Sequence, residues 1–201
     1  MKTRYGKRNM TNNIVDRIPD RAECDELMVR YSMLPHIVLH SIQVMNVSLA
    51  ITDNLRSGVA VNRDLVMAAS LLHDITKTKS FTTKEHHDSS GGVLLRELGF
   101  LSVAEVVEQH VIIHHLNPTG RLEEREIVYY ADKRVLHDTI VTIEERVHDL
   151  IERYGTTEEI RNLILQNKVQ ALAIEQKIVG LMAIDLHCAI PVTSKSSFVT
   201  T

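Results

Sequence analysis

Apolar residues recur at three- and four-residue spacing along nearly the whole chain, and only four prolines and eight glycines interrupt them. That period belongs to amphipathic helices with 3.6 residues per turn. It predicts helices over 21–32, 35–55, 63–77, 89–98, 102–115, 123–136, 142–153 and 157–188. Several starts carry capping chemistry: Asn62 before Arg63-Asp64, Ser102 with Glu105 three residues on, and Thr156-Thr157 before Glu158-Glu159. Gly58, Gly99 and Gly155 are the expected stops. The valine-rich VVEQHVII could be taken for a strand, but Val103 to His115 lacks a period-two alternation and no hairpin turn sits nearby. The expected fold class is all-α. Gly91 and Gly92, poor helix formers near a helix start, mark either a frayed end or a close backbone approach.

A chain of 201 residues can bury one sizeable core. Its formal charge of −3 gives no electrostatic case for a nucleic-acid polymer or an acidic membrane surface. No apolar run approaches the roughly 18 residues of a membrane span, so a soluble protein is expected. The segment MKTRYGKRNMTNNIVD is basic without an apolar centre, and residues 1–20 read as a flexible leader. The two cysteines, Cys24 and Cys188, form no CxxC pair. That fits a reducing cytoplasm and excludes a thiolate zinc site of the usual spacing.

Residues 21–155 are expected to form the main helical domain, and 156–190 a long C-terminal helix. In that helix Leu165, Val169, Leu172, Val179 and Met182 follow a heptad-like spacing, with Gln176 at the missing position. The stripe suits either packing along the domain's own core or a homodimer seam. The end, 191–201, reads as disordered.

Eleven histidines are the unusual feature of the composition. His73 and Asp74 stand side by side at the end of an apolar run, with Lys77 three residues on. Adjacent helical residues point about 100° apart, so both can border one ion only where their helix meets its neighbours. Further donors recur upstream and downstream: His36 and His40 four apart, His86 and His87 before the glycine-bearing start, and His110 with His114 and His115. Asp132 follows Tyr129-Tyr130-Ala131 on an apolar helix, where an unpaired carboxylate would be costly.

The motifs HSIQV (His40), HDITK (His73, Asp74, Lys77) and ADKRV (Asp132), in that order, resemble the HD superfamily of metal-dependent phosphohydrolases. The segments HDSSGG, which selects His87 over His86, and VEQHVIIHH, which favours His110, are similar to the subset with extra histidines and two metals. The resemblance covers roughly residues 25–135 and implies an HD-like helical bundle. It implies one metal on His40, His73, Asp74 and Asp132, and a second on His87 and His110 with Asp74 bridging. LNPTGRLEE follows the paired histidines in place of the Gly-Tyr-Pro of cyclic-dinucleotide phosphodiesterases. The Glu-Asp pair of alarmone hydrolases is likewise missing after the HD motif, as are the glycines and histidines of deoxynucleotide triphosphohydrolases. What remains is similar to small stand-alone HD hydrolases, including those that split dinucleoside polyphosphates.

Imidazole and carboxylate donors without thiolate suit Fe, Mn, Co, Ni or Zn, as one or two ions. Such ions lower the pKa of water and neutralise phosphoryl charge. Asp74 and Lys77 are the catalytic candidates; Lys77, Arg134 and His114 are the candidates for substrate binding, although its spacing puts Arg134 well around the helix from Asp132. His36 has no match in the family pattern and reads as a packed or partly exposed histidine. His137, His148 and His187 have no partners at useful spacing. The expected function is hydrolysis of a small phosphorylated metabolite, a nucleotide or dinucleoside polyphosphate. The alternative is a metal-binding HD sensor without turnover.

Overall fold

The computed structural model describes residues 15–193. Residues 1–14 of the expected leader (1–20) and 194–201 of the expected tail (191–201) lie outside them; of the remainder, Asp16 and Thr193 are tied to the fold by hydrogen bonds. Helices α1 (Arg21–Arg30), α2 (Pro35–Asp53), α3 (Arg63–Leu72), α4 (Lys77–Thr83), α5 (His87–Glu97) and α6 (Leu101–Val107) form the first part of the chain. They are followed by α7 (Glu124–Lys133), a minimal hairpin of β1 (Val135–Leu136) and β2 (Thr139–Ile140), then α8 (Ile143–Tyr154), α9 (Glu158–Leu181) and α10 (Leu186–Ala189). The fold is all-α apart from that hairpin, whose strands pair Val135 with Ile140 and Leu136 with Thr139.

Helix α2 is the spine. Pro35 opens it, where a missing N–H costs nothing, and it packs against both α3 and α7. Val44, Val47 and Ile51 meet Val66, Ala69 and Leu72 of α3 and Ile127 and Ala131 of α7 in one apolar cluster. Small residues let α2 and α3 approach closely enough for the buried Ser70 and Ser48 hydroxyls to bond at 2.9 Å.

The helix stops differ from the expected ones for identifiable reasons. The helix expected over 63–77 ends at Leu72, because the His73 ring bonds the Ser70 carbonyl (2.8 Å) that a continuing helix would offer to the next amides. The chain then turns and restarts as α4. The helix expected over 102–115 ends at Val107 by the same device: the His110 ring takes the Val107 carbonyl at 2.7 Å. Ser102 is not the cap of that helix; the distant Asp16 accepts from the Leu101 and Ser102 amides instead. The helix expected over 123–136 yields at Lys133 to the hairpin, where His137 takes a positive φ of 57°. The last long helix stops at Leu181, where Met182 turns extended and pairs with Leu55. Asp185 then caps the short α10. Asn62, Thr157 and Gly99 act as the sequence suggests.

Gly91 and Gly92 mark a close approach. A Cβ on Gly92 would lie 2.2 Å from Glu108 Cγ, so a side chain there would displace the Glu108 side chain from its place between α5 and α6. Glu108 is in turn ion-paired with Arg96.

Helix α9 lays Ala171, Ile174 and Ile178 into the core cluster. Of the heptad-like stripe, Met182 is buried, whereas Leu165, Val169 and Val179 stand exposed. Lys177 fastens the helix, donating at 2.8 Å to both oxygens of the buried Glu126. Glu126 also closes the capping box of α7.

Candidate metal centre

Six side chains converge from α2, the end of α3, the start of α5, the turn after α6, and α7: His40, His73, Asp74, His87, His110 and Asp132. His73 and Asp74 are fully buried, and His40, His110 and Asp132 are at most 8% exposed. They form two donor groups that share Asp74: His40, His73 and Asp74 in one, Asp74, His87 and His110 in the other, with donor atoms within 4.8 Å of one another. Asp132 joins the first, its Oδ1 3.0 Å from His40 Nε2 and 3.8 Å from His73 Nε2. Asp74 divides its oxygens. Oδ2 lies 3.4 Å from His73 Nε2, while Oδ1 lies 3.2 Å from His87 Nε2 and 3.6 Å from His110 Nε2.

The rings are oriented by the backbone. His40 Nδ1 bonds the His137 carbonyl (2.8 Å), His73 Nδ1 that of Ser70 and His110 Nδ1 that of Val107. A carbonyl only accepts, so each Nδ1 carries the proton and, in the neutral ring, each Nε2 turns its lone pair to the centre. Fixing a metal-binding imidazole through its other nitrogen is the common arrangement in metal sites. His87 Nε2 and His110 Nε2 approach to 3.1 Å.

Electrostatics follow from burial and neighbours. Burial raises the Asp74 carboxyl, but His73 and Lys77 outweigh it and hold the group well below the usual range. Burial raises Asp132 too, and Lys133 and His40 overcome it in the same way. His73 is lowered by burial yet ends above the ordinary imidazole value because Asp74 and Asp132 face it. His110, buried and beside His73 and His87, is pushed down to about 4 and stays neutral. Lys133 fixes Asp132 from behind. Its ammonium donates to Asp132 Oδ2 (2.9 Å) and to the His110 carbonyl (2.6 Å), which leaves Oδ1 turned towards the histidines.

This donor set fits a divalent cation. His73 Nε2 and Asp74 Oδ1 are buried without a hydrogen-bond partner, a costly state that a cation would relieve. Uncharged imidazole and carboxylate without thiolate is the donor chemistry of first-row transition ions.

Lys77 donates to Asp74 Oδ2 at 2.7 Å and keeps about a third of its side chain exposed. Burial lowers its ammonium, but Asp74 and Asp132 raise it further, so it stays charged. A cavity of about 210 Å³ opens beside His40, Asp74 and Lys77. The other two substrate-binding candidates stand apart from it. Arg134 is buried, donating to the Val141 carbonyl and the Tyr130 hydroxyl at 2.6 Å each. Its guanidinium ties α7 to the hairpin and, through Tyr130 and Glu175, to α9. His114 is exposed, because the helix ends at Val107 and the four-residue relation to His110 is lost. The orienting carbonyls of Ser70, Val107 and His137 carry no mark in the sequence, since any residue type supplies one.

Fold and site together define a helical protein with a buried histidine-aspartate cluster able to hold metal ions. Residues 37–136, about half the chain, match the family model of the HD domain, and the chain belongs to that superfamily of metal-dependent phosphohydrolases. No solved structure gives a significant match. Among the described residues, no helix is long and apolar enough to cross a membrane.

Proposed function

We propose that this chain hydrolyses a small phosphorylated metabolite, a nucleotide or dinucleoside polyphosphate, by attack of water on phosphorus. The observation that carries this reading is the division of Asp74 between two donor groups beside an open cavity. His40, His73, Asp74 and Asp132 would hold one ion, and Asp74, His87 and His110 a second. When bound, Fe, Mn, Co, Ni or Zn supplies Lewis acidity at the phosphoryl oxygens and lowers the pKa of water. The chain's own part is positional. The backbone carbonyls hold three imidazoles with Nε2 inward, Lys133 holds Asp132, and Lys77 both steadies Asp74 and offers ammonium protons to a phosphoryl oxygen at the cavity. In the same reading the protein works in the cytoplasm, and the exposed Leu165, Val169 and Val179 support a homodimer seam on α9.

Elemental analysis of the purified protein tests this, beside a phosphatase and nucleotide panel with added Mn, Fe, Co or Ni, for wild type and Asp74→Ala. One or two equivalents of metal, with hydrolysis lost in the variant, is the expected result. Bound metal with no turnover across the panel would replace the enzyme by a sensor, and no metal in either protein would sink the reading.

A further inference from the structure

The cavity beside the histidine cluster has a second wall, made by Arg146, Arg153 and Tyr154 of α8. That wall lies beyond the stretch matched by the HD domain model. We infer that it is the substrate-recognition surface: Arg146 and Arg153 take the phosphate of a small phosphate ester, and Tyr154 and Phe81 take a planar ring, the chemistry of a nucleoside monophosphate. The inference rests on the phosphohydrolase reading and names the substrate class of the same site.

Charge is the first observation. Among the described residues lining the cavity, Asp74 is the one carboxylate, against Lys77, Arg146, Arg153 and three histidines. Asp149, set behind the wall, accepts from Arg146 Nη1 (2.9 Å) and from Arg153 Nε (2.8 Å). One carboxylate thus serves two guanidinium groups and leaves one positive charge over. Arg146 Nε is a buried donor with no acceptor among the described residues. Like charges gathered in a partly buried place are unfavourable unless an anion joins them. Arg153 commits both Nε and Nη2 to Asp149 and so adds charge, whereas Arg146, held through Nη1 alone, keeps its Nε free to donate to a phosphate oxygen.

The rings are the second observation. Phe81 is 51% and Tyr154 54% exposed, and among the described phenylalanine and tyrosine side chains these two alone are more than half exposed. Both border this cavity. Exposed rings at the mouth of a polar pocket offer stacking faces to a flat ligand, and bases stack on such faces irrespective of sequence. The cavity, at about 210 Å³, is smaller than the roughly 300 Å³ at which pockets for drug-sized ligands begin. It admits the phosphate end of an ester while the ring rests at the rim.

The test is calorimetric titration of adenosine 5′-monophosphate, adenosine, ribose 5-phosphate and inorganic phosphate into the full chain with Mn²⁺. Wild type is compared with Arg146→Gln, Arg153→Gln, Phe81→Ala and Tyr154→Ala, with circular dichroism to check folding. Arg146→Gln is expected to weaken the monophosphate about tenfold or more, the loss typical of a charge-assisted contact, and to leave adenosine unchanged. Tyr154→Ala and Phe81→Ala are expected to weaken the monophosphate and not ribose 5-phosphate. Wild-type and Arg146→Gln proteins binding the monophosphate equally, or a wild type that does not bind it, would overturn the inference. Should Arg146→Gln fail to fold, the half-exposed Arg153 carries the same test, and unchanged binding in Arg153→Gln overturns it. Parallel turnover separates the two readings. Binding without hydrolysis removes the phosphohydrolase and leaves the recognition surface standing. Hydrolysis with KM unchanged in both arginine variants does the reverse.

Discussion

Asp74→Asn keeps the side chain's volume and removes its charge, and Asp74 belongs to both donor groups of the centre. The substitution therefore leaves one group facing an amide nitrogen, which does not ligate, and the other an uncharged amide oxygen, whereas His87→Ala touches only the second. A ligand present at about 100 times its Kd adds about 2.7 kcal/mol to the folded state. Each kcal/mol moves the melting temperature of a chain of this size by about 2–4 °C. Wild type in Mn²⁺ is thus expected to melt about 5–11 °C above its value in chelator. Asp74→Asn loses nearly all of that increment, and its metal content falls towards zero. His87→Ala keeps part of the increment and part of the metal. Because each protein is compared with itself in chelator, the result is independent of what a substitution does to the metal-free fold. Thermal melts followed by circular dichroism, paired with elemental analysis, make the measurement. An increment in Asp74→Asn equal to that of wild type would refute the role given to the shared carboxylate.

The remaining predictions concern the scaffold. Gly92→Ala drives a Cβ into Glu108 and is expected to cost about 1–3 kcal/mol, while Gly180→Ala, with open space around it, gains about 0.5–1 kcal/mol; urea titration of both variants decides. Lys177→Met leaves the buried Glu126 carboxylate without its ammonium and should lower stability by about 3–5 kcal/mol. Adding Glu126→Gln to it should recover part of that loss, and a double variant no more stable than Lys177→Met would count against the pair. Burial raises the Cys24 thiol to about 12, whereas Cys188 is exposed. Ellman's reagent at neutral pH should therefore modify one thiol in the native protein and two in denaturant, and rapid loss of both in the native protein would contradict the burial of α1.

How much of this was legible in the sequence depends on what kind of contact made it. The all-α class showed in the period of the apolar residues, and the donors of the centre in motif order, because both are carried by side-chain type. The helix ends at Leu72 and Val107 were not legible. Periodicity makes His73 and His110 helical residues, yet each ring competes with its own helix for a carbonyl three residues back. That competition depends on ring direction, to which periodicity is blind. His114 was misplaced as a consequence. Arg134, two residues after Asp132, is a weak substrate candidate in the sequence, and the hairpin and Tyr130 claim it instead. Arg146 carried no signal at all, since its place at the cavity comes from the packing of α8. The capping role of Asp16 is set 85 residues away in sequence and was equally hidden.

The histidines of the centre divide by how far away their orienting partners lie. His73 and His110 are set by carbonyls of their own turns, so both rings take their direction as soon as α3 and α6 form, with almost no loop to close. His40 is set by the carbonyl of His137, 97 residues on, and has no such partner until the hairpin has docked against α2. Assembly of the centre is therefore expected to be ordered in time, one side local and early, the other waiting on the longest-range contact in the site. During refolding, metal capture should lag helix formation and keep pace with the hairpin. A substitution that loosens the turn at His137 and Asp138, without touching a donor atom, would then delay the metal while leaving the helices on schedule.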